Sequence, residues 1–114
     1  MLKCGLEGSY KIIHNVVNKH LFKHSKKTTK KFTITHISSL LDKHKNISGM
    51  LRVAKQLENS IDAFQLKFIG GKKDQFSALL SELNFKKNTI HFIDQLSHEQ
   101  IPKQLIQSDV FVLF

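Results

Sequence analysis

From residue 32 onward the chain alternates between strand-like and helix-like segments, and this alternation is what most restricts its fold. Segments rich in β-branched and aromatic residues predict four strands, at 32–38 (FTITHIS), 64–69 (FQLKFI), 89–93 (TIHFI) and 110–114 (VFVLF). The last segment is apolar throughout, which is typical of a strand buried on both faces of a sheet.

Apolar residues recur at helical spacing in each interval between these strands. The three sets are Ile47, Met50, Leu51, Ala54 and Leu57; Phe76, Leu79, Leu80 and Leu83; and Ile101, Leu105 and Ile106. Asn46 is the expected N-cap of the first helix, and residues 97–100 (SHEQ) form the pattern of a capping box before the third. Pro102 falls in the first turn of that third helix, where a proline costs little.

Strands and helices that alternate with short connections predict a parallel sheet with right-handed crossovers and helices on both faces. We therefore predict the α/β class, a Rossmann-like fold, and a single domain over residues 10–114. A length of 114 residues suits one domain with one core. Residues 1–9 are expected to be a poorly ordered lead-in, and Tyr10–Val17 could supply one further strand at the front of the sheet.

The net charge of +9 and the pI near 9.8 would ordinarily indicate nucleic acid or an anionic membrane surface. Residues 1–31 carry eight lysines and one acid, however, so most of the excess lies in one N-terminal stretch. Its densest part, 23–31, favours a solvated linker over a nucleic-acid surface, because arginine, the better reader of bases, occurs only at Arg52. No apolar run is long enough to span a membrane, and the start has no secretory pattern. The single cysteine, Cys4, fits a reducing compartment, so a cytoplasmic location is expected.

Three loops follow the predicted strands, at the edge where open parallel sheets bind their ligands. The first, 38–46, ends in Lys45 before a helix N-terminus, and an ammonium there suits a phosphate. The second is 70–73 (GGKK), whose glycines allow a close backbone approach and whose lysines suit an anion. The third, 94–97 (DQLS), offers polar groups beside the other two. The alternatives are an ordinary exposed lysine before a cap and a tight glycine turn.

The sequence predicts no metal site, no cofactor and no catalytic residue. His20 and His24 are the only histidine pair with helical ligand spacing, and they lie in the lysine-rich stretch without an acidic partner. A nucleophile elbow is missing, and no residue is a convincing general base.

Taken in order, the segments resemble the C-terminal, donor-binding domain of family-4 glycosyltransferases, which are two-domain enzymes of the GT-B type. Residues 11–22 (KIIHNVVNKHLF) are similar to the stretch that leads into that domain, with Asn15 and Phe22 at matching places. The remaining likeness covers 36–57, 64–71 and 90–114, with Asp109 preceding the final strand.

The resemblance implies that the chain binds a nucleotide-sugar and takes part in retaining transfer of a hexosyl group to a glycan or lipid-linked acceptor, as in bacterial polysaccharide biosynthesis. Lys45 would contact the donor diphosphate, Gly70 and Gly71 would lie near the donor, and residues 93–96 would lie by the nucleobase. Ser38 and Ser39 stand where the family usually has glycine and arginine or serine. The implied substrate-binding residues are Ser38, Ser39, Lys45, Asn46, Gly70, Gly71, Asp94, Gln95 and Leu96.

In this family the glutamate motif that binds the donor sugar begins after the strand that ends here at Phe114, and the acceptor domain would precede residue 1. We therefore expect a fragment that is inactive alone, is completed by that acceptor domain and is prone to self-association. Its basic stretch would assist peripheral contact with an anionic membrane at the inner face. Two other hypotheses stay open: a basic module that binds nucleic acid or anionic lipid, and a non-catalytic regulatory domain that holds a partner chain.

Overall fold

A four-stranded parallel sheet with helices on both sides forms the described part of the chain, residues 8–9, 11–28 and 30–113 of a computed structural model. The strands are β1 (Phe32–Ile37), β2 (Phe64–Ile69), β3 (Ile90–Ile93) and β4 (Val110–Phe111). The helices are α1 (Asp42–Lys45), α2 (Ile47–Ser60), α3 (Ser77–Leu83), which follows a 3₁₀ turn at Lys73–Phe76, and α4 (Ile101–Ile106). The predicted α/β, Rossmann-like fold is confirmed.

The strand order β3-β2-β1-β4 places β1 inside the sheet, between β2 and β4. Within β1, Ile34 pairs with Leu66 of β2 on one side and with Val110 of β4 on the other. The chain thus advances in one direction from β1 to β3 and then returns past β1 to form β4. In open parallel sheets, ligands bind beyond the carboxyl ends of the strands at such a reversal. The reversal here lies between β1 and β4.

The α2 face of the sheet is apolar and holds the core. Ile34, Leu66 and Phe68 of the sheet belong to one buried cluster with Leu51 and Ala54 of α2. Farther along this cluster, the ring of Phe92 stacks between those of Phe68 and Phe76, with centroid distances of 5.1 and 5.9 Å. Burial of these side chains provides the main driving force for packing α2 on the sheet.

The opposite face, under α4, is polar although it is largely buried. Thr35 is fully buried, and its hydroxyl shares a hydrogen bond with Ser108 just after α4. Lys67 of β2 donates to the Gln104 side chain of α4 over 3.3 Å. Buried polar groups need such partners, so α4 is held over the sheet by hydrogen bonds as well as by apolar packing.

The predicted N-cap of α2 is confirmed, whereas the predicted capping box before α4 is not. Asn46 caps α2, because its side-chain oxygen accepts from the Gly49 N–H over 3.2 Å. The Ser97 N–H donates to the side chain of Gln100 over 3.1 Å, but Gln100 is itself the N-cap residue of α4 and its side chain does not cap the helix. Pro102 lies in the first turn of α4, as expected.

Two strand predictions need correction. Residues 11–17 form no strand, and Tyr10 lies outside the described residues. The β-branched side chains there have strand propensity, but the segment pairs with neither edge strand of the sheet, and Val16 is 90% exposed. The last strand covers only Val110–Phe111, and both residues are exposed rather than buried on both faces. β4 lies at the sheet edge, which explains that exposure. Of the predicted lead-in, only residues 8 and 9 are described.

Glu58 is a buried carboxylate that ties α2 to the start of β3. It is 4% exposed, pairs with Lys55 over 2.8 Å and accepts from the Lys86 N–H over 3.0 Å. Burial raises its pKa, but the hydrogen bonds from Lys55, Thr89 and Lys86 outweigh that effect, so the pKa lies below the ordinary value of 4.5. A lowered pKa stabilises the fold above the ordinary value and loses that contribution as the pH falls through the folded-state pKa.

We predict that Glu58→Gln lowers the free energy of unfolding at pH 7 by about 1–3 kcal/mol, because the buried Lys55 contact loses its charge partner. It should also flatten the fall in stability below pH 4.5. Urea unfolding at several pH values measures both effects. Glu82→Gln, at an exposed position, is the matched control. Equal effects of the two substitutions would contradict this account.

Candidate functional site

The loops after β1, β2 and β3 meet at the carboxyl edge of the sheet and enclose a cleft of about 290 Å³. Its lining residues are Ile37, Ser38, Ser39, Ile69, Gly70, Gln95, Leu96 and Ile101. Each of the three loops predicted to carry the site contributes to it. The structure therefore brings Ser38, Ser39, Gly70, Gln95 and Leu96 together, as the sequence indicated.

Gly70 is required by the close approach of two loops. Its φ of +121° is a backbone conformation that L side chains rarely adopt, and a Cβ there would lie 1.8 Å from the Ser38 carbonyl oxygen. At Gly71, a Cβ would lie 3.1 Å from the Leu40 side chain. The glycine pair therefore lets the loop after β2 pack directly against the loop after β1, and this packing forms one wall of the cleft.

We predict that Gly70→Ala destabilises the protein by roughly 2–4 kcal/mol, since it adds both backbone strain and a clash with backbone. Gly8→Ala is the matched control: its φ is +125°, but no atom lies within 4 Å of the added carbon. Thermal unfolding compares the two variants. A Gly70→Ala loss no larger than that of Gly8→Ala would show that the loops are not packed as described.

The loop after β1 is held in a strained conformation. Leu40 is fully buried and has a φ of +56°, a left-handed conformation that costs a non-glycine residue about 1–2 kcal/mol. Its N–H donates to the Ser38 hydroxyl oxygen over 3.0 Å. That hydroxyl also lies 2.8 Å from Nε2 of His36, whose Nδ1 lies 2.8 Å from the Val112 carbonyl oxygen. The loop after β1 is thereby connected to the chain after β4.

Lys45 and Asn46 lie at the corner between α1 and α2. Asp42 fixes this corner, because its carboxylate accepts from the Ser48 N–H and hydroxyl over 2.7 and 2.6 Å. These hydrogen bonds, that of the hydroxyl above all, lower the pKa of Asp42. Lys45 is half-buried, and its ammonium has no hydrogen-bond or ion-pair partner within residues 8–9, 11–28 and 30–113. The ammonium is therefore available to an anion.

Four predicted site residues, Lys45, Asn46, Gly71 and Asp94, do not line the cleft. Gly71 and Asp94 line a wider, open depression of about 790 Å³ along the β3 edge, together with Lys72 and Lys73. The Asp94 carboxylate accepts from the Gln95 N–H over 2.8 Å. Asn46 lines an apolar groove of about 330 Å³ beside α2 and, as an N-cap, has a structural role.

The lysine-rich segment is partly attached to the domain rather than wholly solvated. Lys27 forms an ion pair with Asp109, whose carboxylate also accepts from the Thr33 N–H over 2.8 Å. The hydrogen bond from Lys27 is the main reason that the pKa of Asp109 is lowered. Lys31 donates to the Asn88 carbonyl oxygen over 3.0 Å. Lys23, Lys26 and Lys30 remain exposed.

Sequence reasoning missed His36 and Leu40. For His36, the informative signal is its position in a strand of β-branched residues. A polar ring one residue before the carboxyl end of a buried strand must find hydrogen-bond partners, and one of these partners, Ser38, lines the candidate site. No local signal indicates the positive φ of Leu40.

Comparison with protein families decides the class of the chain. The family model for group 1 glycosyl transferases matches residues 17–114. The chain belongs to this family. The glycosyltransferase resemblance of the sequence is thus confirmed at the family level, and membership supports glycosyl transfer as the activity of the group 1 domain. Comparison with curated proteins gave no match. None of the helices in the described residues of this glycosyl transferase is long and apolar enough to cross a membrane.

Proposed function

We propose that the chain is the donor-binding half of a two-domain, family-4 glycosyltransferase and that its cleft binds a nucleotide-sugar during hexosyl transfer to a glycan or lipid-linked acceptor. Membership of the group 1 glycosyl transferases supports the chemistry. The position of the cleft, beyond the carboxyl ends of parallel strands, supports the site. The observation that carries the proposal is this meeting of three loops at one ligand-binding edge.

Lys45 is the proposed contact to the donor diphosphate. Its ammonium is unpaired within the described residues, and Lys45 directly precedes the N-cap of α2, a helix of 14 residues. The positive end of that helix dipole adds to the lysine charge and favours an anion. The exposed hydroxyl of Ser39 is a further donor on the same loop.

The third loop supplies groups suited to a nucleoside. Leu96 and Ile101 give the cleft an apolar wall, and the Gln95 amide offers both a donor and an acceptor. Apolar walls with a few polar groups are typical of small-molecule sites, because burial gives affinity and hydrogen bonds fix orientation. A nucleobase fits this combination better than a sugar does.

We predict that the protein binds uridine, guanosine or adenosine diphosphate and that Lys45→Ala weakens the binding about tenfold, as expected for loss of a charge-assisted contact. Titration calorimetry gives the dissociation constants. Lys43→Ala, an exposed lysine of the same short helix, should leave them unchanged. Absence of binding by all three nucleotides, or equal losses in both variants, would contradict the proposed site.

We also propose that the segment 11–30 contacts an anionic membrane surface. Ile12, Ile13 and Val16 are 85–90% exposed, and the lysines Lys23, Lys26 and Lys30 on the same segment are exposed as well. Exposed aliphatic side chains and exposed lysines on one segment suit a bilayer interface, where both apolar insertion and charge attraction contribute.

We predict that the protein co-sediments with vesicles containing anionic lipid and not with neutral vesicles, and that added salt releases it. Converting Lys23, Lys26 and Lys30 together to Gln should weaken vesicle binding about a hundredfold, at roughly 1 kcal/mol per lysine. The matched control converts the exposed Lys86, Lys87 and Lys103, which removes the same charge from other surfaces. Equal losses in both variants, or binding to RNA and not to vesicles, would contradict membrane contact.

A further inference from the structure

We propose that His36 is a positioning residue: as a neutral ring protonated on Nδ1, it holds the Ser38 loop of the donor cleft in register with the chain that follows β4. The relevance to sugar transfer rests on the proposed function, whereas the hydrogen-bonding role stands on geometry alone. His36 is fully buried at the carboxyl end of β1, next to the strand-order reversal.

The partners of the ring determine where its proton lies. Nδ1 lies 2.8 Å from the Val112 carbonyl oxygen, which can only accept, so Nδ1 must carry a hydrogen. In the neutral ring Nε2 is then an acceptor, and the Ser38 hydroxyl, 2.8 Å away, donates to it. The Ser38 oxygen in turn accepts from the Leu40 N–H over 3.0 Å. The chain of hydrogen bonds therefore has one direction, from Leu40 to Val112.

This arrangement assigns Ser38 a role different from ligand contact. Its hydroxyl hydrogen is directed to His36, and its oxygen already accepts from the backbone, so the side chain shapes the loop. A ligand in the cleft would meet the neighbouring Ser39 and the backbone instead. The hydrogen bond from the Leu40 N–H to Ser38 also stabilises the left-handed conformation of Leu40, whose buried side chain packs against Gly71.

His36 also extends the pairing between β1 and β4. The ladder continues one residue past β4, because the Val112 N–H donates to the Thr35 carbonyl oxygen over 2.9 Å. The carbonyl group of Val112 then accepts from the His36 ring. The histidine thus links the two chain segments that border the strand-order reversal.

The first experiment determines the tautomer by long-range ¹H–¹⁵N correlation on the labelled full chain at neutral pH. The His36 signals are assigned by their loss in His36→Gln. We expect a protonated Nδ1 and an unprotonated Nε2, which is the less common tautomer of free histidine. A hydrogen on Nε2, whether in the other neutral tautomer or in a charged ring, would overturn the proposal.

The second experiment uses two substitutions that each retain one of the two contacts. An Asn side chain places its amide near Nδ1 and retains the Val112 contact, whereas a Gln side chain reaches the position of Nε2 and retains the Ser38 contact. We expect Leu40 amide hydrogen exchange to be at least tenfold faster in His36→Asn and Ser38→Ala than in His36→Gln. Unchanged exchange in all three variants would contradict the proposal, and circular dichroism confirms that each variant is folded.

The third experiment measures nucleotide affinity and tests whether the conformation of the Ser38 loop affects the proposed function. His36→Asn and Ser38→Ala should weaken binding of the diphosphate that wild type binds best by roughly five- to tenfold, while His36→Gln should retain most of it. His91→Gln is the control, because the His91 ring forms a hydrogen bond with the carbonyl oxygen of Asn88 on the β3 side. Equal weakening by His91→Gln would overturn the positioning role. If wild type binds no nucleotide, the proposed function fails, and the tautomer and the exchange rates still decide the role of His36.

Discussion

The pairing of β1 with parallel neighbours on both sides is the constraint on which the rest of the structure depends. β1 lies between β2 and β4, so both of its edges are satisfied by backbone hydrogen bonds and both of its faces are covered. One face contributes Ile34 to the apolar core, and the other contributes the buried hydroxyl of Thr35. A strand in this position needs small or β-branched side chains that tolerate burial, which is what the sequence of 32–37 (FTITHI) provides.

The same constraint places the candidate site. The loop after β1 lies beyond the carboxyl end of this inner strand and lines the cleft together with the loops after β2 and β3. Gly70 allows the second loop to pack on the first, and His36 links the first loop to the chain after β4. The cleft is thus a consequence of loop packing at the end of the sheet, with each wall supplied by a different strand.

Much of the fold follows from local patterns in the sequence, and the parts that do not follow depend on distant contacts. The β-branched and aromatic composition locates β1 and β2, and apolar residues at helical spacing locate α2 and α3. The segment 11–17 has the composition of a strand but does not pair with either edge of the sheet, which no local pattern can reveal. The hydrogen bond between His36 and Val112 joins residues 76 positions apart, so the local sequence around either residue does not predict it.

The candidate site, too, follows partly from the sequence and partly from contacts that only the structure shows. Residues directly after the strands, such as Ser38 and Gly70, could be placed at the ligand edge from topology alone. Lys45 could be recognised as a helix-start lysine, but its freedom from partners among the described residues is visible only in three dimensions. The attachment of the lysine-rich segment through Lys27 and Asp109 was equally invisible, because the partner lies at the far end of the chain.

The most direct test of the central claim is to map the nucleotide by ¹H–¹⁵N chemical-shift changes during titration with the tightest-binding nucleoside diphosphate. If the cleft at the carboxyl ends of the strands is the donor site, the largest changes will occur at Ser39, Gly70, Gln95 and Leu96 and at the start of α2. Changes concentrated on residues 23–30, or along the β3 edge around Lys86, would place the nucleotide elsewhere and contradict the account.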